Sequence, residues 1–230
     1  MARNFNGTTD RIDWASLYNP KGQALTVACW AFIAEVNRYQ IILGMLDAAG
    51  GNGADIRINN ANSCPYMLKN GTTIAYRLAA NNSIAVGDWY HIAGAFDNSM
   101  VANNWVLYVN GAASFGGSAE GASETSHSGT WAAGGRDSDD LRNFNGRIAE
   151  AGIWNRKLTQ AEVTMLASGY APSFVRDGLQ FYCSLMTVGY TDVVSGTVGT
   201  LDGTSEIASP AVIYAKTPLG VLPENVLLRM

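Results

Sequence analysis

The chain has 230 residues, a formal net charge of −4 and only 15% charged residues, against roughly 25% in an average soluble protein. No run of Lys or Arg occurs, which excludes a phosphate-binding stripe and with it nucleic acid as a partner. The longest apolar run, residues 27–34, is far short of a bilayer span, and the first ten residues have no apolar stretch of the signal-peptide kind, so membrane insertion and secretion by that route are not expected.

A chain of this length buries roughly 70–75% of its unfolded surface, enough for one core without staples. In chain order, residues 5–14 follow Asn6-Gly7 with Ile12 and Trp14 in alternation and read as a first strand. Residues 25–36 are apolar on both faces and rich in β-branched and aromatic side chains. That composition predicts a central strand covered on both sides. Residues 39–46 form another apolar strand, ended by Gly50, Gly51 and Gly53. Short strands follow at 55–59 and 66–69, and Asn70-Gly71 turns the second into a partner at 72–78. Residues 89–96 and 105–109 are the clearest pair. Both alternate with a period of two, which puts one row on a core and one row outward. Asn110-Gly111 tolerates positive φ at both central positions of a two-residue hairpin turn. Residues 114–130, rich in Gly, Ser, Ala and Glu, read as a long loop, and strands resume at 131–136 and 147–154.

One helix is marked. Thr159-Gln160-Ala161-Glu162 is a capping box, Leu158 and Val163 are placed as a hydrophobic staple, and Gly169 supplies the stop. Only about two turns fit, so packing must hold it. A late strand spans 178–185, and short turns and strands fill 191–206. Residues 210–230 contain Pro210, Pro218 and Pro223 and end in the apolar Val226, Leu227 and Leu228. They read as an extended arm, folded on its own body or docked on a partner.

Three cysteines without a secretion signal argue against a disulfide framework, and Cys29 and Cys183, inside apolar strands, read as small buried hydrophobes. The glycosylation-type triplets at Asn6, Asn70 and Asn81 read as turn sequences. Four Lys stand against eleven Arg. A Lys-poor surface fits either the ordinary Thr, Asn and Ser face of a β-sandwich or a surface buried between subunits.

Two stretches resemble a known family. The pair WYHIAGAFD and WVLYVNG, residues 89–97 and 105–111, is similar to the first signature of laminin G-like domains of the concanavalin A-like superfamily. The stretch FNGRIAEAGIWNRKLTQAEV, residues 144–163, is similar to the next. The resemblance covers about residues 5–169, and residues 178–214 look like a return segment seen after such domains. It implies an all-β, concanavalin A-like jelly-roll sandwich of two antiparallel sheets with one short helix. The expected organisation is a sandwich over 1–170, a return segment packing on it over 171–214, and the C-terminal arm over 215–230. One departure stands out: where the family strand has an acidic pair, this chain has Ala149 and then Glu150.

The fold also hosts glycoside hydrolases, whose retaining members hold two carboxyl groups about 5–5.5 Å apart. Glu35 and Glu150 stand alone on their strands, and His91 and His127 are the only histidines. A catalytic set is therefore not expected. The family also implies a calcium possibility. Asp137, Asp139 and Asp140 are the densest acidic cluster and the candidate ligands, against the plainer reading of a solvated loop whose Asp residues cap turns. Asp47 and Asp55 flank the glycine-rich loop as a weaker second rim. A sugar site needs an exposed aromatic platform; Trp131 and Trp154 are the candidates, although alternation favours Trp131 facing the core. The functional expectation is a non-enzymatic virion decoration protein of a bacteriophage, made in the host cytoplasm. Its expected partners are other virion proteins or further copies of itself, bound through Val226, Leu227 and Leu228, and surface glycans. The alternatives are a free carbohydrate-binding module and a glycosidase.

Overall fold

The computed structural model describes residues 2–15, 24–46, 53–70, 75–97, 99, 105–116, 118–119, 130–135, 142–185, 190–208, 210 and 212. Two antiparallel sheets stack face to face. The first has the order β10 (Ala112–Ser114), β9 (Trp105–Val109), β8 (Trp89–Asp97), β3 (Ala24–Ile33), β13 (Asn145–Trp154), β1 (Ala2–Asn6) and β16 (Ser205–Ile207). β14 (Leu179–Cys183) also pairs with β13. The second runs β11 (Ser118–Ala119), β7 (Ala75–Leu78), β6 (Cys64–Asn70), β5 (Gly53–Asn59), β4 (Gln40–Leu46), β12 (Thr130–Ala133), β2 (Arg11–Trp14) and β15 (Thr200–Asp202). The jelly-roll expectation holds.

The period-two rows account for the interior. Cys29, Ala31 and Ile33 of β3, Ile92 and Phe96 of β8, and Trp105 and Leu107 of β9 face Ile56 and Ile58 of β5, Met67 of β6 and Trp131 of β12 in one core. Phe96 stacks on Trp105 at 4.9 Å, and Trp14 meets Phe181 edge-on at 5.0 Å. The Trp14 indole donates to the Tyr190 carbonyl at 2.6 Å, so its one polar atom is satisfied. The hairpin prediction is met in detail: Asn110 has φ +51° and Gly111 φ +80°.

One expectation changes. Residues 5–14 are two strands in different sheets. Asn6 ends β1 and its side-chain oxygen accepts from the amides of Thr8 and Thr9 at 2.8 and 3.0 Å. Gly7, at φ +77°, completes a corner that no straight strand could make. The segment after the helix adds to both sheets, with β14 on β13, β15 on β2 and β16 on β1. Between them Asp192 is fully buried; its carboxylate accepts from the amides of Tyr182 at 2.8 Å, Val194 at 3.0 Å and Ser195 at 2.8 Å.

Helix α1 (Gln160–Ala167) lies on the outer face of the first sheet. Ala28, Ala93 and Ala95 make a low floor there, and Val163, Leu166 and Leu158 pack over it with Val106, Tyr108 and Trp154. Each buried aliphatic side chain contributes about 1.5–3 kcal/mol, which holds a helix too short to persist alone. Its start is the capping box read from the sequence: the Thr159 hydroxyl accepts from the Glu162 amide, and Glu162 accepts from the Thr159 amide at 2.8 Å. Arg156 also donates to Glu162 at 2.6 and 2.9 Å, and chiefly this holds the Glu162 carboxyl down at about 2. A carboxyl held low in the fold stabilises it above its unfolded value near 4.5, and that contribution disappears as pH falls from there toward 2. Glu162→Gln is therefore expected to cost about 1 kcal/mol at pH 7 and nothing at pH 2. Urea melts at the two pH values check this, and equal losses at both would contradict it.

Cys29, Cys64 and Cys183 are buried thiols outside any disulfide. Burial pushes the Cys64 and Cys183 thiols up to about 11 and 12 and raises Cys29 further.

Candidate ligand-binding site

The two candidate carboxylates are separated and occupied. Glu35 accepts from Arg38 at 2.7 Å and from the Asn145 side chain at 2.9 Å, while Arg38 also donates to the Gly7 carbonyl at 2.8 Å. Burial alone would raise Glu35, but these bonds lower it. The cluster ties three turns together at one end of the sandwich. Glu150 lies five residues beyond Asn145 on β13, roughly 15 Å away at about 3.3 Å per residue. That is outside the roughly 5–9.5 Å over which glycosidase carboxylates cooperate. Glu150 is 3% exposed, accepts from the Tyr182 hydroxyl at 2.7 Å and has φ +53° beside a register shift in β13. Both acids serve the fold.

Trp131 and Trp154 are corrected as sugar platforms. They are 1% and 0% exposed. Trp131 faces the sandwich interior opposite Trp14 on β2. Trp154 points to the outer face, but its ring folds over Gly152, where a Cβ would come within 2.6 Å of it. Its indole donates to the Val175 carbonyl at 2.7 Å beneath the helix cover. His91 is 3% exposed, its Nδ1 makes no hydrogen bond among the described residues, and burial lowers its pKa to about 3. Asp137, Asp139, Asp140, Asp47, His127, Val226, Leu227 and Leu228 lie outside the described residues. Among the described residues no three His, Cys, Asp or Glu side chains gather as metal ligands. No helix there is long and apolar enough to cross a membrane.

The outer face of the second sheet is differently furnished. Ala54, Ile56 and Ile58 point inward, so Asp55 and Arg57 share the opposite face of β5. Asp55 is fully buried and Arg57 is 5% exposed, and the guanidinium binds the carboxylate through both its Nε and a terminal nitrogen. Burial would lower Arg57, but the charge and hydrogen bonds of Asp55 outweigh it and hold the pKa above the ordinary value. On β6 the residue opposite Arg57 is Tyr66, whose ring centroid is 5.6 Å from the guanidinium. Tyr76 of β7 follows, 5.5 Å from Tyr66 and tilted by 55°. Burial pushes the Tyr66 phenol up to about 12, so it stays a neutral donor.

Toward β2 the face has a floor of small residues. Ala132 is opposite both Gly44 and Asp13, and Gly44 is opposite Asp55. A Cβ on Gly44 would lie 2.3 Å from that of Asp55. A second pair, Arg11 with Asp13 at 2.7 Å, borders the floor on its far side. Ala132 and Asp55 are wholly buried, whereas the tyrosine end is open: Tyr66 and Tyr76 are half-buried and Tyr39 is 42% exposed. Tyr39 is near enough to Arg57 and Tyr66 to act on both electrostatically. Two phenols beside a neutralised guanidinium, with a third next to Tyr66, can stack on a ring and exchange hydrogen bonds with hydroxyl groups. Sequence reasoning missed this group, although the alternation of Asp55, Ile56, Arg57 and Ile58 held the signal.

Comparison with known proteins agrees with the architecture. No curated protein sequence matches the chain. Among solved structures, a heptameric SAP-like pentraxin from Limulus polyphemus aligns over 89% of this chain and 93% of its own, with a TM-score of 0.63 and 15% identity. A protein from Bacteroides ovatus, named as a candidate carbohydrate binder, aligns over 92% of this chain and 61% of its own, with a TM-score of 0.66 and 17% identity. The CBM40 of a Ruminococcus gnavus IT-sialidase, bound to α2,3-sialyllactose, aligns over 70% and 99%, with a TM-score of 0.52 and 14% identity. At these identities the likeness is one of fold. The family model of the concanavalin A-like lectin/glucanases superfamily, in its Laminin_G_3 form, matches residues 6–164, and the chain belongs to that superfamily.

Proposed function

We propose that this chain is a non-enzymatic carbohydrate-binding module whose contact surface is the tyrosine end of the second sheet. The observation behind this reading is the Arg57 guanidinium beside the Tyr66 ring and near Tyr39, with Tyr76 next to Tyr66, on the outer side of the second sheet. Aromatic rings offer apolar faces to the C–H side of a sugar, and their hydroxyls meet its polar rim. The bidentate hold of Asp55 fixes Arg57, so little order is lost on binding. The sialyllactose-bound domain of similar fold supports the same reading.

The test is a glycan array, run with calcium and with chelator, on the wild type and on Tyr66→Ala/Tyr76→Ala. Binding by the wild type that falls about tenfold or more in the double variant, with an unchanged melting curve, is expected. A wild type that retains no glycan under either condition would remove the proposal. Lost binding in chelator alone would direct attention to Asp137, Asp139 and Asp140.

A second reading sets the module on an assembled particle, through self-association or other virion proteins. Its support is the low charge, the scarcity of Lys and the apolar residues Val226, Leu227 and Leu228. Electron microscopy of the native source tests it: a regular lattice of this protein is the expected image, and particles lacking it would end the reading.

A further inference from the structure

The outer face of the first sheet is divided. Helix α1 covers the half floored by Ala28, Ala93 and Ala95. Beyond that cover, the same face changes from alanine to aromatic. Register places Trp89 of β8, Phe32 of β3 and Arg147 of β13 in one row, with His91, Trp30 and Ala149 in the next. Cys29, Ala31 and Ile33 point into the core, so Trp30 and Phe32 point away from it. Phe32 meets Trp89 edge-on at 5.8 Å, Trp30 meets His91 edge-on at 5.5 Å, and the Arg147 guanidinium lies 4.4 Å from the Phe32 centroid. Trp30, Phe32, Trp89 and Arg147 are each half-buried.

A solvated face of an antiparallel sheet ordinarily has polar side chains. Four large side chains there, locked by their own ring contacts, need an occupant. Size decides which. A whole aromatic side chain offers about 150–250 Å², so four half-buried ones present a few hundred Å² at most. A standard protein interface takes about 800 Å² from each partner. The patch is too small for a second copy and large enough for a short run of sugar rings. Its chemistry agrees: ring edges and faces for C–H groups, and a guanidinium with no acidic partner among the described residues for hydroxyl oxygens. We propose that this patch, Trp89, Phe32 and Arg147 with Trp30 of the next row, is a second carbohydrate-contact surface, on the sheet opposite the tyrosine group. It takes an uncharged or weakly acidic oligosaccharide lying across β8, β3 and β13. The inference rests on the carbohydrate-binding reading and extends it to bivalent attachment, in which two weak surfaces reinforce one another on a polymeric glycan.

The full chain is titrated with cellohexaose, mannohexaose and α2,3-sialyllactose by calorimetry and by tryptophan emission. The proteins compared are wild type, Tyr66→Ala/Tyr76→Ala, Trp89→Ala, Arg147→Ala, and the tyrosine double variant combined with Trp89→Ala, with Arg147→Ala or with Trp89→Phe. Trp89→Phe serves as the conservative control, and circular dichroism confirms folding of each. The expected result is residual binding in the tyrosine double variant, with quenched tryptophan emission. That residue should weaken about 5- to 10-fold when Trp89→Ala or Arg147→Ala is added and recover with Trp89→Phe. If the tyrosine double variant loses all binding and Trp89→Ala changes nothing, the second surface is overturned and the first stands. If the wild type binds no probe, both fall. If Trp89→Ala instead abolishes a concentration-dependent dimer in sedimentation, the row is a contact between copies and the inference is overturned.

Discussion

Asp55→Ala is expected to cost about 3–5 kcal/mol, among the largest losses available from any single change on the outer faces. The reason is asymmetry. Asp55 has no exposure and Arg57 has 5%, so removing the carboxylate leaves a guanidinium charge buried without compensation. Without Asp55 only the lowering effect of burial on Arg57 is left, and an arginine does not lose its proton in a protein, so the charge stays. The intact pair is no great source of stability in itself, because two desolvated ions spend most of their attraction on leaving water. Replacing both, as Asp55→Leu with Arg57→Met, should therefore be much milder than either single change. For a chain of this size 1 kcal/mol shifts the melting temperature by about 2–4 °C, so the single variant should melt roughly 10 °C lower. Calorimetry of the three proteins decides it. A single variant within 1 °C of wild type would mean that water reaches Arg57.

Acid should destabilise the protein through His91. Its ring is buried beside Trp30, and burial lowers its pKa to about 3 from an ordinary 6.5. Below 6.5 the unfolded chain takes up a proton that the folded chain refuses. Stability contributed by the neutral ring is therefore complete above pH 6.5 and declines as pH falls toward 3. One pKa unit corresponds to about 1.4 kcal/mol, so the loss between pH 7 and pH 5 approaches about 2 kcal/mol. Glu162 acts only below about 4.5, and Asp10, whose carboxyl burial raises, gains rather than loses stability as pH falls, so among the described residues the loss between 6.5 and 4.5 is that of His91. In His91→Leu the melting temperature should be flat across that interval, while the wild type drops by roughly 4–8 °C. Parallel curves for the two proteins would show that His91 takes its proton in the folded state.

The strands were legible because alternation is a local property. Trp105, Leu107 and Val109 face inward as their spacing required, and Thr159 with Glu162 caps the helix as their separation required. What the chain order hid was pairing across distance. Tyr66 meets Arg57 only because the turn at residues 60–63 sets their register, and nothing in either strand alone states it. Asn6 and Gly7 marked a turn, but not that the chain would leave one sheet for the other. The burial of Trp154 has a similar cause. Its strand alternation does point it outward, and the segment after the helix, with Pro172 beside Gly152 and Val175 accepting from its indole, helps remove it from solvent. The aromatic row on the first sheet escaped notice because Trp30 and Phe32 sit in a run apolar on both faces, where period two cannot tell cover from surface.

The three buried cysteines make this protein its own unfolding clock. Only a thiolate attacks an alkylating reagent, and these thiols are both shielded and held protonated. Modification must then wait for the surrounding strand to open. Cys29 reports on the middle of β3, Cys64 on the start of β6 and Cys183 on the late strand β14. Mass spectrometry of a timed labelling reaction would thus give the opening rate of three separate parts of the sandwich from one unmodified sample.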